Sequence, residues 1–162
     1  MLRLQKIILV TLLAGTFLTA NAALKIGDTL PDLASYKLEG KLPDALKGKI
    51  VIVDFWASWC LPCAESFPVL DELQKKYGDK LVVIGVNVDE KAANMEKFLK
   101  KHAVSFALVR DGGQKLVEVV EPETMPTSFI LDAEGKVRFL HSGFHGEKTR
   151  KEYVSEIESL LK

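Results

Sequence analysis

The run Ile50-Val51-Ile52-Val53-Asp54-Phe55-Trp56-Ala57 is almost wholly apolar and leads directly into Cys60-Leu61-Pro62-Cys63. A short continuous run of that kind reads as a central strand buried on both faces. Ser58-Trp59 closes it, and from there Cys63, Phe67, Leu70, Leu73 and Tyr77 recur at helical spacing. The chain must therefore carry both of its cysteines where a buried strand turns into a helix. Unpaired N–H groups and the helix dipole favour an anion at that point. A thiol held there has a lowered pKa, and the thiolate is its reactive form.

Two residues between the cysteines allow a small disulfide ring across one helical turn. Such a ring removes little chain entropy and is a poor structural staple. A structural zinc site needs four ligands, commonly two such pairs or one pair with two well-spaced histidines. This chain has one pair, and His102, His141 and His145 fit no tight spacing with it. The pair reads as a redox couple.

The remaining chain places that couple in a single domain. Residues 24–48 are turn-rich, and Ser35-Tyr36-Lys37-Leu38 before Glu39-Gly40 predicts a short hairpin. The helix over 61–77 ends at Gly78. Leu81 to Val88 is a second apolar, β-branched run and predicts another parallel strand. Met95, Phe98, Leu99 and His102 share a helical face, 106–109 predicts a short strand and 114–120 a short helix. Thr127 to Leu131 and Val137 to His141 flank Asp132-Ala133-Glu134-Gly135 as a hairpin, and the last helix carries Tyr153, Ile157, Leu160 and Leu161. The order β-α-β-α-β-α-β-β-α is that of an α/β sandwich with helices on both faces.

Met1 to Ala22 has the form of a secretory signal: basic Arg3 and Lys6, an uncharged stretch over 7–20, and Ala20-Asn21-Ala22 at the cleavage position. Cleavage leaves a domain of residues 23–162. The alternative is an uncleaved anchor, for which the apolar stretch is short against the roughly 20 residues of a span. An exported address suits a pair of thiols that change state. The whole chain balances 22 basic against 22 acidic residues. Loss of Arg3 and Lys6 leaves about −2, which suggests no nucleic-acid surface.

Val53-Asp54-Phe55-Trp56-Ala57-Ser58-Trp59-Cys60-Leu61-Pro62-Cys63 resembles the active-site segment of thioredoxins. Pro68 stands where thioredoxins kink the active-site helix, and Met125-Pro126-Thr127 resembles the loop with their cis-proline. Gly27 to Asp32, Gly48-Lys49, Glu65 and the turn Asp132 to Lys136 are similar to one branch, the TlpA/ResA-like periplasmic thiol-disulfide oxidoreductases with a redoxin (AhpC-TSA) type of domain. The likeness spans about residues 25–161. It implies a three-layer α/β/α sandwich with an N-terminal hairpin extension and a helix–strand insertion, the latter over 91–109. Leu61 departs from members with an acidic residue between the cysteines, a feature common in those devoted to cytochrome maturation.

The resemblance makes Cys60 the attacking and Cys63 the resolving thiol. The residues agree, since the first meets solvent at the helix start and the second is covered by the next turn. Pro62 has no N–H to lose and suits a first helical turn. Asp54, an acid in an apolar strand, must be neutral or paired. The match makes it the proton acceptor for Cys63, against a strand-end residue that reaches water. The resemblance makes Pro126 cis, leaving the Met125 backbone free to pair with an extended substrate. Trp59 is read as the rim of the substrate surface, Trp56 as core. Glu65 either tunes the thiolate or is a favourable charge in the first helical turn. His102 is read as structural, and His141 and His145 as surface residues.

The expected activity is a periplasmic protein-disulfide reductase with no cofactor and no metal, acting as a monomer. Its partners are protein disulfide clients, with apocytochrome c and copper-site proteins as candidates, and a membrane thiol-transfer electron donor. One alternative is a copper metallochaperone of related fold, although such proteins space the cysteines one residue wider. The other is a peroxiredoxin-like peroxidase, which needs Thr or Ser where Ala57 stands.

Overall fold

A computed structural model describes residues 23–162. The expected signal segment lies outside the described residues. Among the described residues six strands form one mixed sheet: β1 (Glu39–Gly40), β2 (Ile50–Trp56), β3 (Leu81–Asn87), β4 (Ala107–Arg110), β5 (Thr127–Leu131) and β6 (Val137–Ser142). The helices are α1 (Leu61–Tyr77), α2 (Ala92–Leu99), α3 (Lys115–Val120) and α4 (Glu147–Leu160). The strand order is β1-β4-β3-β2-β5-β6. The central strands β2, β3 and β4 run parallel, whereas β5 is antiparallel to β2 and β6 to β5.

Every residue of β2 is buried, as its apolar run requires of a strand covered on both faces. Alternation divides its side chains between two cores. Ile50, Ile52 and Trp56 pack with Phe67, Leu70 and Leu73 of α1 and with Tyr153 and Ile157 of α4. Val51, Val53 and Phe55 pack with Leu116 and Val120 of α3 and with Leu33 of the N-terminal segment. Trp56 lies between Phe67 and Phe98, with ring centroids 4.8 and 4.9 Å away. Gly85 is the small residue that admits it. A Cβ there would stand 2.7 Å from Leu108 Cδ2 and 3.1 Å from the Trp56 Nε1.

The hairpin expected before residue 40 does not form. Leu33–Ser35 is a single 3-10 turn capped by Asp32, and Glu39–Gly40 pairs with Arg110 and Val109 of β4. The cause is non-local. The Glu39 carboxylate accepts from both Nε and Nη2 of Arg110, and the guanidinium also reaches the carbonyls of Asp89 and Glu90. The segment before it is tied to the opposite edge, where Gly27 N–H donates to Val137 and Leu30 N–H to Gly135. Those bonds cover part of β6, a strand edge otherwise open to pairing. The helix and strand expected over 91–109 are present as α2 and β4, and β4 extends the sheet beyond β3.

Candidate active site

Cys60 is the N-cap residue of α1, and its Sγ accepts the backbone N–H of Cys63 at 3.1 Å. The two sulfurs form a disulfide. Cys60 retains 4% exposure and Cys63 none, so the pair is reached only from the Cys60 side. The residues that flank it in the sequence present an apolar surface. Trp59 and Leu61 are 71% and 75% exposed, and Pro62 lies beside them in the first turn of α1. The loop that presents the cysteines is anchored by Asp89, just past β3. The Asp89 carboxylate accepts from Ser58 N–H at 3.0 Å, from Ser58 Oγ–H at 2.9 Å and from the Asn87 side-chain amide at 2.8 Å.

Beneath α1, Asp54 shares the sheet face of Ile52 and Trp56 by strand alternation. It is fully buried. Its Oδ1 accepts from Ser128 Oγ, which lies 2.7 Å from the Tyr153 hydroxyl, while its Oδ2 has no partner. With the Ser128 proton donated to Asp54, the tyrosine hydroxyl donates to Ser128. Burial pushes the Asp54 carboxyl up to about 7, and the Ser128 hydrogen bond offsets part of that rise. Burial and the Asp54 charge also push the Tyr153 hydroxyl up, which keeps it protonated and a donor.

The Met125–Pro126 peptide is cis. Thr127 pairs with Phe55, so Pro126 enters the sheet at the end where β2 leaves it for the cysteine loop. Met125 packs against both cores. Among the described residues its backbone enters none of the loop and turn hydrogen bonds.

This geometry invites comparison with known proteins. A family model described as Thioredoxin-like matches residues 48–137. The thiol-disulfide oxidoreductase ResA of Geobacillus thermodenitrificans is 32% identical, over 96% of this chain and 95% of its own length. The chain belongs to the thioredoxin-like family, on the branch of the ResA thiol-disulfide oxidoreductases. Among solved structures, a Chlorobium tepidum protein assigned as the thiol:disulfide interchange protein DsbE superposes with TM-score 0.78 at 34% identity, covering 86% of this chain and 100% of that one. The pneumococcal exposed lipoprotein thioredoxin Etrx1 of Streptococcus pneumoniae superposes with TM-score 0.62 at 30% identity, over 71% of this chain and 87% of that one.

Within this thioredoxin-like site two expectations need correction. Glu65 is not in the first helical turn, because α1 begins at Leu61; it is exposed in the second turn and forms no ion pair among the described residues. His141 is not a surface residue. Its side chain is 11% exposed, with Nε2 2.7 Å from Glu156 and its ring edge-on to Tyr153. His145 is exposed, as expected.

Sequence reasoning passed over Ser128, Tyr153, Asn87 and Asp89. Ser128 and Tyr153 carried no signal, since a serine in a short strand and a tyrosine on an apolar helix face are ordinary. Asn87 and Asp89 did carry one. They are polar residues closing an apolar strand at the carboxyl end of a parallel sheet, where α/β folds place their sites. Among the described residues, no three His, Cys, Asp or Glu side chains converge as a metal site would need.

Proposed function

We propose that the chain is a reductase of protein disulfides in which Cys60 attacks and Cys63 resolves. The observation that carries this reading is the Cys63 N–H donated to Cys60 Sγ at the start of α1, in a pair closed as a disulfide. The same N–H and the helix dipole stabilise a thiolate on Cys60 once the pair is reduced. Cys60 thiolate attacks one sulfur of a client disulfide, forms a mixed disulfide and expels the other client sulfur as thiolate. Cys63 then gives up its proton, attacks Cys60 Sγ and releases the second client thiolate. Two electrons pass to the client and the Cys60–Cys63 disulfide re-forms.

Asp54 takes the Cys63 proton in this scheme. Support comes from its burial below α1, its unpartnered Oδ2 and a pKa near working pH. Ser128, itself held by the Tyr153 hydroxyl, donates to the other Asp54 oxygen. The exposed Trp59, Leu61 and Pro62 form the rim on which clients rest, and the unused Met125 backbone is available to an extended client segment. Glu65, exposed in the second turn of α1, tunes the thiolate through its charge.

The same reading places residues 1–22 as an export signal and 23–162 as a periplasmic domain, acting as a monomer and recharged by a membrane dithiol donor. The exposed pneumococcal relative supports the exported setting. Among the described residues no helix is long and apolar enough to cross a membrane. Apocytochromes c and copper-site proteins are the client candidates.

Equilibration of the pair with a dithiol buffer tests the direction. A reductase has a potential below about −180 mV, on the thioredoxin side of the family range. A value near about −120 mV makes the chain an oxidant instead.

A further inference from the structure

Beside Cys60 runs a groove of about 520 Å³ between the start of α1 and the helix α2. One wall is Ser58, Trp59, Cys60, Leu61 and Ala64; the other is Asn94, Lys97, Phe98, Lys101 and His102. The charge on this second wall has one sign. Its charged residues are Lys97 and Lys101, both basic, in a chain whose 22 basic and 22 acidic residues balance overall. Lys97 and Lys101 are exposed and enter no ion pair among the described residues. The acids of the neighbouring groove are already engaged: Asp71 holds Lys75 and Ser105, and Glu72 holds Arg150.

Cations at the end of α2 suit its dipole. That alone does not explain why two unpaired lysines face a reactive cysteine across a wall of exposed Trp59 and Leu61. The apolar face of α2, with Met95, Phe98 and Leu99, is packed into the core, so the lysines are held on a fixed element. His102 stacks on Phe98 at 4.5 Å, which keeps its ring on the groove wall.

We propose that this groove selects client segments that carry acidic residues beside the reacting cysteine. Client carboxylates face Lys97 and Lys101, while apolar side chains rest on Trp59 and Leu61. Charges on an interface rim act mainly through the association rate and lose their effect in salt. The inference rests on the oxidoreductase reading, because it names the substrate class of that same site.

Three synthetic peptides, each with a cysteine in mixed disulfide with cysteamine, test it. Flanking residues are glutamates, serines or lysines. At low ionic strength the native domain, its Cys60–Cys63 pair kept reduced by an added dithiol whose direct reaction with each peptide is subtracted, should reduce the acidic peptide with a kcat/KM about tenfold above the basic one, a preference that shrinks in about 0.5 M salt. K97E/K101E should invert the ratio, and K97Q/K101Q should bring it near unity. Taking the ratio within each variant cancels any general loss of activity. Equal kcat/KM for the three peptides, or a preference unchanged in K97E/K101E, overturns the groove proposal alone. Failure to reduce even the serine peptide overturns the oxidoreductase reading, and the groove with it.

Discussion

Replacing Asp54 by Asn should stabilise the fold, and by an amount that depends on pH. The carboxyl lies at 3.8 in the open chain and is pushed up to about 7 in the fold. Between those values the folded state holds a proton that the unfolded state has lost. Stability from this group is therefore fully present below about pH 4 and declines as pH rises through about 7. At about 1.4 kcal/mol per tenfold change in proton affinity, ionising Asp54 costs about 4 kcal/mol at pH 8 and under about 1 kcal/mol at pH 4. Asn keeps the shape and the acceptor for Ser128 but cannot ionise. Urea unfolding of oxidised parent and Asp54→Asn measures the difference, in which all other titrating groups cancel. The expected gain is about 2–4 kcal/mol at pH 8, within the range for relief of a buried charge, and it shrinks toward zero at pH 4. A difference that does not vary with pH, or a parent more stable at pH 8, would refute the burial argument. The same variant should turn over client more slowly, with the loss in release of the mixed disulfide.

Other expectations follow from the same geometry. Ser128→Ala removes the donor that restrains the Asp54 pKa. The acid limb of the pH–rate profile should move to higher pH, whereas a merely structural serine would lower the rate without moving the limb. Asp89→Ala strands the Ser58 N–H and the Asn87 amide. Melting experiments should show a loss of about 2–4 kcal/mol, with kcat falling as the cysteine loop loosens. In the reduced protein at mildly acidic pH, iodoacetamide should modify Cys60 before Cys63; the reverse order would exchange their roles.

Most of the scaffold was legible because its signals are local. The β2 run, the helical spacing after Cys60, Gly78 at the end of α1 and the Asp132–Gly135 turn each state their structure within a few residues. The misread N-terminal hairpin shows the limit. Glu39-Gly40 looks like a turn, but its partner is Arg110, 71 residues away. The site divides in the same way. The cysteine pair and the Met125–Pro126 loop stand out as motifs, and Asp54 stands out by its polarity in an apolar strand. Ser128 and Tyr153 come to Asp54 only through the pairing of β5 with β2 and the packing of α4 on the sheet. Glu65 was misplaced although the helix start was read correctly: counted from Leu61 it is the fifth residue of α1, already past the first turn.

The central claim is that Cys60 exchanges with client disulfides and Cys63 resolves the product. Trapping measures this directly. Cys60→Ser and Cys63→Ser domains are exposed to oxidised client proteins, quenched in acid and examined by mass spectrometry under non-reducing conditions. Cys63→Ser should accumulate mixed disulfides on Cys60 that a dithiol releases, and Cys60→Ser should accumulate none. Adducts confined to Cys60→Ser, or absent from both variants, would contradict the account.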